Sequence, residues 1–538
     1  MKNLIIFSRL AFISVILFFA TSCSEDTINL EPVGAVESGF FKTENDMEMA
    51  VKGIYQKLCF YYVYPGNQNN FVQQLFWLPG DDMMSKSPSS FPADNFDAIS
   101  AGYYPVTLFY TYAYQLIARA NVVLEKIESE GDAIYTKDPS LKDKHKGEAL
   151  FLRSYTYFLL WNIFGTAPIV NKRITDIKDM YPPNSQGTEL LDQAITDLAT
   201  AANLLPASWD AANKGRVTKN SAYGLRSKCL VFRGTVNNAA ADFTAALTDI
   251  SSISGVSLAP NYGYNFDVNN ENNVESLFEY QASQPSGNVN PFVAGAGGND
   301  AFAVIGDIGV WWGPLANKWN WIGNANVYAT GLLQNLYENS GGIWDPRRSF
   351  VCNNNVNNNN ILKYVQSNAS YNTNPWVRPA GNGINGGCSI NNPRILRYAD
   401  VLLLKAEAIV RSGGTLSDAI AIINQIRDRA RKSTYVASVP PSPLPPAAVV
   451  PADRDINETD RNTVLEWIFT ERRMELACEE GHRWFDLRRR HMAGEIDLKT
   501  WDFGHTKVGN GFQDKHIYFP LPSDEVTNNP NLNQNPGY

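Results

Sequence analysis

Apolar residues recur along much of this chain at the three-to-four-residue spacing of a helix face. In "YTYAYQLIARANVVLEKI" (110–127), Leu116, Ala120, Val123 and Ile127 fall at intervals of four, three and four, which predicts an amphipathic helix. "GEALFLRSYTYFLLWNIFG" (147–165) is aromatic or apolar nearly all round, the mark of a deeply buried helix with Trp161 in its core face. Gly165 and Pro168 end it. Further helices are predicted over 187–204, 218–233, 397–412, 416–431 and 461–480. Ala419, Ile422, Ile423, Ile426 and Ala430 form one stripe, and Gly413-Gly414 turns the chain between two antiparallel helices.

The small residues in that pair would let helices approach closely, and the pair resembles a tetratricopeptide unit, although no strict 34-residue period runs through the chain. The pattern changes over 255–395, which is rich in Asn, Gly, Trp and Tyr, includes "CNNNVNNNN" (352–360), and offers only short strands such as "ESLFEYQ" (275–281). A second irregular stretch runs from Tyr61 to Tyr104, and "VPPSPLPPAAVVP" (439–451) is a stiff proline-rich loop. The fold class is therefore all-α: a scaffold of helix pairs carrying a large loop-rich insertion, and such insertions commonly hold function.

Composition sharpens this picture. With 538 residues and 44% hydrophobic content the chain can bury a large core. A net charge of −8 argues against nucleic acid, since phosphate neutralisation needs clustered cations. The lone basic run, Arg488 to His491, reads as a solvated or ion-paired helix end. Lys2 and Arg9 precede the apolar run Leu10–Ala20, which is too short to span a bilayer and suits a cleaved signal. "TSC" then resembles a bacterial lipoprotein site with Cys23 as the lipidated residue. The expected division is 1–22 signal peptide, 23–44 lipid-anchored tether, 45–254 N-terminal helical region, 255–395 ligand-binding insertion and 396–538 C-terminal helical region.

The remaining cysteines show no zinc spacing. Cys229 and Cys478 lie in helical patterns and read as buried thiols, while Cys352 and Cys388 are left open as a possible disulfide. The five histidines form no ligand set, so no metal or cofactor is expected. Asp81-Asp82 and Glu479-Glu480 are the nearest thing to a glycosidase pair, but adjacency does not give two carboxyls facing across a gap. Without G-x-S-x-G, H-E-x-x-H or a P-loop, nothing argues for an enzyme. Glu471, Arg472, Arg473, Glu475, Arg483 and Asp486 are expected to form a buried ion-pair network that locks the C-terminal segment.

Six motifs follow one another in order: "GEALFLRSYTYFLLWNIFGTAPIV", "RVTKNSAYGLRSKCLVF", "DPRR" (345–348), "ILRYADVLLLKAEAIVRSGG", "ERRMELACEEGHRWFDLRRR" and "YFPLPSDEVTNNPNLNQNPGY". Together they resemble the SusD/RagB family, surface lipoproteins of Bacteroidetes nutrient uptake. The resemblance implies a tetratricopeptide-like helical face, and an irregular remainder that holds the ligand. It also implies a partner: a SusC-like TonB-dependent outer-membrane transporter over which the protein sits as a lid. Glu25 and Asp26, after Cys23, fit surface export in such bacteria.

Oligosaccharide binders of this kind stack sugar C–H faces on aromatic rings and meet hydroxyls with amides. "WWGPLANKWNWIG" (311–323) supplies both, through Trp311, Trp312, Trp319 and Trp321 with Asn320 among them. On an extended chain Trp319 and Trp321 point the same way, whereas Trp311 and Trp312 diverge. The alternative is that all four fill a seam in the core. Phe91, Phe96, Tyr103 and Tyr104 are the second aromatic set, with Asn95 and Asp97 as polar partners, and Trp77 reads as structural. The expectation is a non-catalytic, surface-exposed lipoprotein delivering glycan to its transporter. The competing expectation is a peptide- or other nutrient-binding protein on the same scaffold, which would favour a cleft with backbone pairing.

Overall fold

The computed structural model describes residues 39–58, 61, 74–85, 91–281, 327–351, 361, 363, 392–433, 449–504 and 511–538. The N-terminal part is a row of antiparallel helices. Helix α1 (Glu44–Lys57) opens with a capping box, in which Thr43 accepts from the Asp46 N–H and Asp46 accepts from the Thr43 N–H. The short helices α2 (Gln74–Trp77) and α3 (Pro92–Asn95) flank strand β1 (Met83–Ser85). Then follow α4 (Tyr104–Ile134), α5 (Ser140–Ile163), α6 (Glu189–Leu204), α7 (Lys219–Asn237) and α8 (Ala240–Ser251), each packed on the one before it from α4 on. Helix α5 is buried on every side from Gly147 onward, as its pattern requires, and Trp161 is fully enclosed. It stops at Gly165, whose φ of +70° and closeness to the Tyr518 ring (a Cβ would sit 2.1 Å from it) leave no room for another residue.

Short strands tie the irregular chain to this row. Strand β2 (Ser276–Glu279) lies within the stretch read as a strand, and β3 (Val327–Ala329) precedes helix α9 (Gly331–Leu336). A tight hairpin, β4 (Asn339–Ser340) and β5 (Ile343–Trp344), leads into α10 (Arg348–Val351). Strand β6 (Arg394–Arg397) pairs antiparallel with β2 and runs into α11 (Tyr398–Arg411). Helices α12 (Leu416–Arg431), α13 (Arg461–Leu476), α14 (His482–Met492) and α15 (Ser523–Asn528) complete the described chain. The α11–α12 pair turns at Gly413 as expected, and Ala419, Ile423 and Ile426 pack against Val464 and Ile468 of α13 in a cluster of their own. Among the described residues no helix is long and apolar enough to cross a membrane.

Several helix boundaries differ from the sequence expectation: α4 runs on to Ile134, α5 begins at Ser140 and α7 reaches Asn237, and two further differences have a local cause. Helix α4 starts six residues early, at Tyr104, because Pro105 falls in the first turn, where its missing N–H costs nothing. Helix α13 ends at Leu476 and not at 480, so Cys478, though buried, is not helical: its φ is +60°. The carbonyls there are drawn into cationic bonds instead. Arg397 donates to the Glu475 carbonyl (2.7 Å) and Lys363 to that of Ala477 (2.6 Å).

Those cations belong to a buried ion-pair network. Arg397 reaches Glu275 and Glu475 (both 2.7 Å) and Glu479 (2.7 Å), and Arg347 reaches Asp345 (2.8 Å) and Glu471 (2.6 Å). Arg429 and Arg427 close the network onto Glu475, Glu275 and Glu471. Burial opposes ionisation of Glu475, but Arg429, Arg397 and Arg347 outweigh it and hold the carboxyl well below its usual range. The run Arg488–Arg490 is ion-paired or bonded to carbonyls, not solvated: Arg489 grips Glu407, and Arg488 donates to the Ile517 and Trp161 carbonyls. Finally, residues 519–535 stitch back to the end of α5. Asn535 donates to the Phe164 carbonyl (2.9 Å) and accepts from Thr166 (2.7 Å), while Asn184 donates to the Asn533 carbonyl (3.0 Å).

Candidate functional site

The two irregular stretches singled out in the sequence meet at one sheet edge. Strand β1 pairs antiparallel with β3, Met83 opposite Ala329 and Ser85 opposite Val327. Thr330 reinforces the junction, its N–H donating to the Asp82 carbonyl (2.9 Å) and its hydroxyl to that of Asp81 (2.6 Å) while it caps α9. On the other side, the Asp94 carboxylate accepts from the Ser85 N–H (2.9 Å), binding α3 to β1.

Beneath this edge sits a two-arginine clamp. Arg483 grips both oxygens of Asp81 (2.7 and 2.9 Å), and the Trp501 indole donates to the same carboxylate (3.1 Å). Arg473 holds Asp82 (2.7 Å) and the Asp81 carbonyl (3.0 Å). Burial works against the Asp81 charge, yet Arg483 and Arg473 overcome it and keep the carboxyl well below its usual range. For Asp82 burial wins, with the Asp81 charge adding to it, and its pKa rises. Glu479 is likewise taken by Arg397 and Lys363. Asp81, Asp82 and Glu479 are thus structural cross-links and Glu480 is buried with a bond from the Tyr155 hydroxyl (3.4 Å), so neither doublet presents two carboxyls across an open gap.

The second aromatic set divides. Phe91 and Phe96 were expected to face a ligand, but both are buried, at 3% and 6% exposure. Phe96 takes a left-handed turn after α3 (φ +56°) that drives its ring inward. There it stacks on His516 (5.3 Å) and meets Phe503, Phe512 and Trp484 edge-on or tilted. Asn95 is buried as well, whereas Asp97 is exposed. Tyr103 is half-buried and donates to Gln74 (2.7 Å). Tyr104 remains: at the first turn of α4 it is 48% exposed. Trp77 is buried, in keeping with a structural role. Trp311, Trp312, Trp319, Trp321 and Asn320 lie outside the described residues, as do Cys23, Cys352 and Cys388.

Sequence reasoning missed the cage around Phe96, whose walls come from residues 484–516, and missed that the Asp81-Asp82 doublet is the counterpart of Arg473 and Arg483. Complementary charge doublets on distant segments were the available signal. Among the described residues no group of histidine, cysteine and acidic side chains could hold a metal. His145 bonds Tyr135 and Glu48, and His482 faces Lys228.

Comparison with known proteins bears on this architecture. Residues 334–538 match the model of the SusD family, and residues 46–231 match a model described as starch-binding, associating with the outer membrane. SusD-like protein P2 of Formosa agariphila is 25% identical, over 97% of this chain and 98% of its own length. The solved SusD homolog from Bacteroides thetaiotaomicron superposes with a TM-score of 0.69 at 20% identity, covering 94% of this chain and 99% of its own. Surface glycan-binding protein A from Bacteroides uniformis gives 0.64 at 20% identity, covering 92% and 99%.

Proposed function

Because this chain belongs to the SusD family, we propose that it is a surface-exposed outer-membrane lipoprotein, anchored through Cys23, that binds oligo- or polysaccharide without cleaving it. In this reading it passes the glycan to a SusC-like TonB-dependent transporter. The observation that carries the proposal is the β1–β3 pairing, which joins the irregular stretch 61–104, whose last residue Tyr104 is an exposed aromatic, to the flank of the tryptophan-rich insertion. Trp321 stands six residues before Val327 in the sequence, a separation that covalent geometry caps at roughly 20 Å. The ligand site is therefore assigned to Trp319, Trp321 and Asn320, with Trp311 or Trp312, together with Tyr104 and Tyr103 at its margin. The family model's description as starch-binding and the glycan-binding name of one structural neighbour favour a glycan over a peptide. The ion-paired state of Asp81, Asp82 and Glu479 supports binding without hydrolysis, which would need an acid and a base or nucleophile free to act on a sugar.

The test is affinity on a polysaccharide panel for wild type and for Trp319→Ala, Trp321→Ala and Tyr104→Ala. A stacking ring contributes about 1–3 kcal/mol, so each tryptophan change should weaken binding about five- to hundredfold at an unchanged thermal midpoint. Unchanged binding with a lowered midpoint would make those rings core. Release of reducing ends by the pure protein, or capture of peptides and no glycan, would overturn the assignment.

A further inference from the structure

The β4–β5 hairpin carries a large aromatic ring on the surface, and neither the sequence motifs nor the β1–β3 edge uses it. Trp344 is 38% exposed and Ile343 49%. The loop between them and β4 is Gly341-Gly342, with φ of +58° and +88°, the doubly left-handed turn that a two-residue hairpin demands. The presentation is rigid. On one leg Glu338 is held by Arg427 and by the Ala452 N–H, and its carbonyl accepts from the Asp345 N–H (2.8 Å). On the other leg Asp345 and Arg347 are fully buried in the ion-pair network.

The guanidinium of Arg348 lies over the Trp344 ring at 4.2 Å and fixes its orientation. Asn339, directly across the hairpin from Trp344, shares its face; Ile343 and Ser340 share the other. The tryptophan face is thus an aromatic ring beside an amide and a guanidinium, without the contiguous apolar surface that a protein interface core needs. That combination fits a sugar ring: a π face for the C–H bonds and an exposed amide for hydroxyls. The hairpin and the clamp under the first edge meet α13 on different sides, although Gln334 lies between the two, accepting from Arg348 (3.2 Å) and donating to the Ala329 carbonyl of β3 (3.2 Å). Arg473 points from α13 to Asp82, and Glu471 points from α13 to Arg347 at the hairpin's base. Two residues apart on a helix, these directions differ by about 200°.

We propose that Trp344, with Arg348 behind it and Asn339 beside it, is a second glycan-stacking platform, separate from the β1–β3 edge and engaged by long polysaccharide. This rests on the glycan-binding reading above. A second contact on one polymer strengthens binding only when the ligand reaches both sites.

The experiment compares full mature wild type with Trp344→Ala, Trp344→Phe and Tyr104→Ala, using starch and laminarin as polymers and their hexasaccharides as short probes. Trp344→Ala should weaken polymer binding about five- to tenfold, the loss of one stacking ring. Its hexasaccharide affinity at the first edge and its thermal midpoint should not change, and Trp344→Phe should keep most of the polymer affinity. If wild type binds no glycan, the parent reading fails and this one with it. If wild type binds polymer and Trp344→Ala binds it equally well, only the second platform is refuted. If glycan binding is intact but Trp344→Ala no longer co-purifies with an outer-membrane transporter, the ring belongs to a protein interface and the platform is refuted too.

Discussion

Replacing Asp81 by Asn keeps the shape of the side chain and removes its charge. Asp81 is 1% exposed, accepts two bonds from Arg483 and one from Trp501, and lies 3.3 Å from Arg473. The variant leaves Arg483 facing a neutral amide. Breaking a fully buried pair costs about 3–5 kcal/mol; because the Arg483 side chain is 12% exposed and partly hydrated, about 2–4 kcal/mol is the better expectation. Unfolding entropy of roughly 2 cal/mol/K per residue makes this about 2–4 °C in the midpoint for a chain of this length. The loss should be local first. Amides of Met83–Ser85 and Val327–Ala329 should exchange faster, since the clamp holds the Asp81 carbonyl that the Thr330 hydroxyl uses to join those strands. A double-mutant cycle with Arg483→Gln, read by denaturant unfolding, should give a coupling of about 1 kcal/mol or more. Additive single-variant effects, or wild-type exchange at both strands, would refute the clamp as the support of this edge.

The other expectations concern titration and anchoring. Burial works against the Glu407 charge, but Arg489 and Arg411 hold its carboxyl down to about 2, so its stabilisation is complete above about pH 4.5 and is lost as pH falls toward 2. Glu407→Gln should cost about 3 kcal/mol at neutral pH, and the gap to wild type should close between pH 4.5 and 2; a gap independent of pH would contradict the pairing. Burial, with Lys515 beside it, pushes His516 down to about 4, so the neutral ring stacked on Phe96 contributes stability that fades as pH drops from 6.5 to 4. His516→Gln should flatten the pH dependence of the midpoint in that window, and an unaltered slope would assign it to other groups. Cys23→Ala should leave the protein out of the membrane fraction, and a variant that still sediments fully with membranes would end the lipid-anchor proposal.

Helices whose apolar residues repeat locally could be read directly: α5, α11 and α12 follow from spacing alone, because each buries a stripe that its own sequence defines. The end of α13 could not, since Lys363 and Arg397, more than 70 residues away, capture its last carbonyls. The same holds for the ion-pair network. Its α13 members were legible as a cluster of opposite charges, but Arg347 and Glu275 come from segments with no helical pattern. Phe91 and Phe96 looked like surface aromatics because the rings that enclose Phe96, those of Trp484, Phe503 and Phe512, arrive only near the other end of the chain. Tyr104 escaped burial by one position, at the first turn of its helix.

The stitching of residues 519–535 onto the end of α5 sets an order of events. Phe164 and Thr166 bond Asn535, Asn184 donates to the Asn533 carbonyl, and the Phe519 N–H donates to the Ile163 carbonyl, so the end of α5 lacks these partners until the last residues of the chain are made. Deleting residues 519–538 would then lower the thermal midpoint and speed amide exchange at the end of α5, which loses its bonds to Phe519 and Asn535.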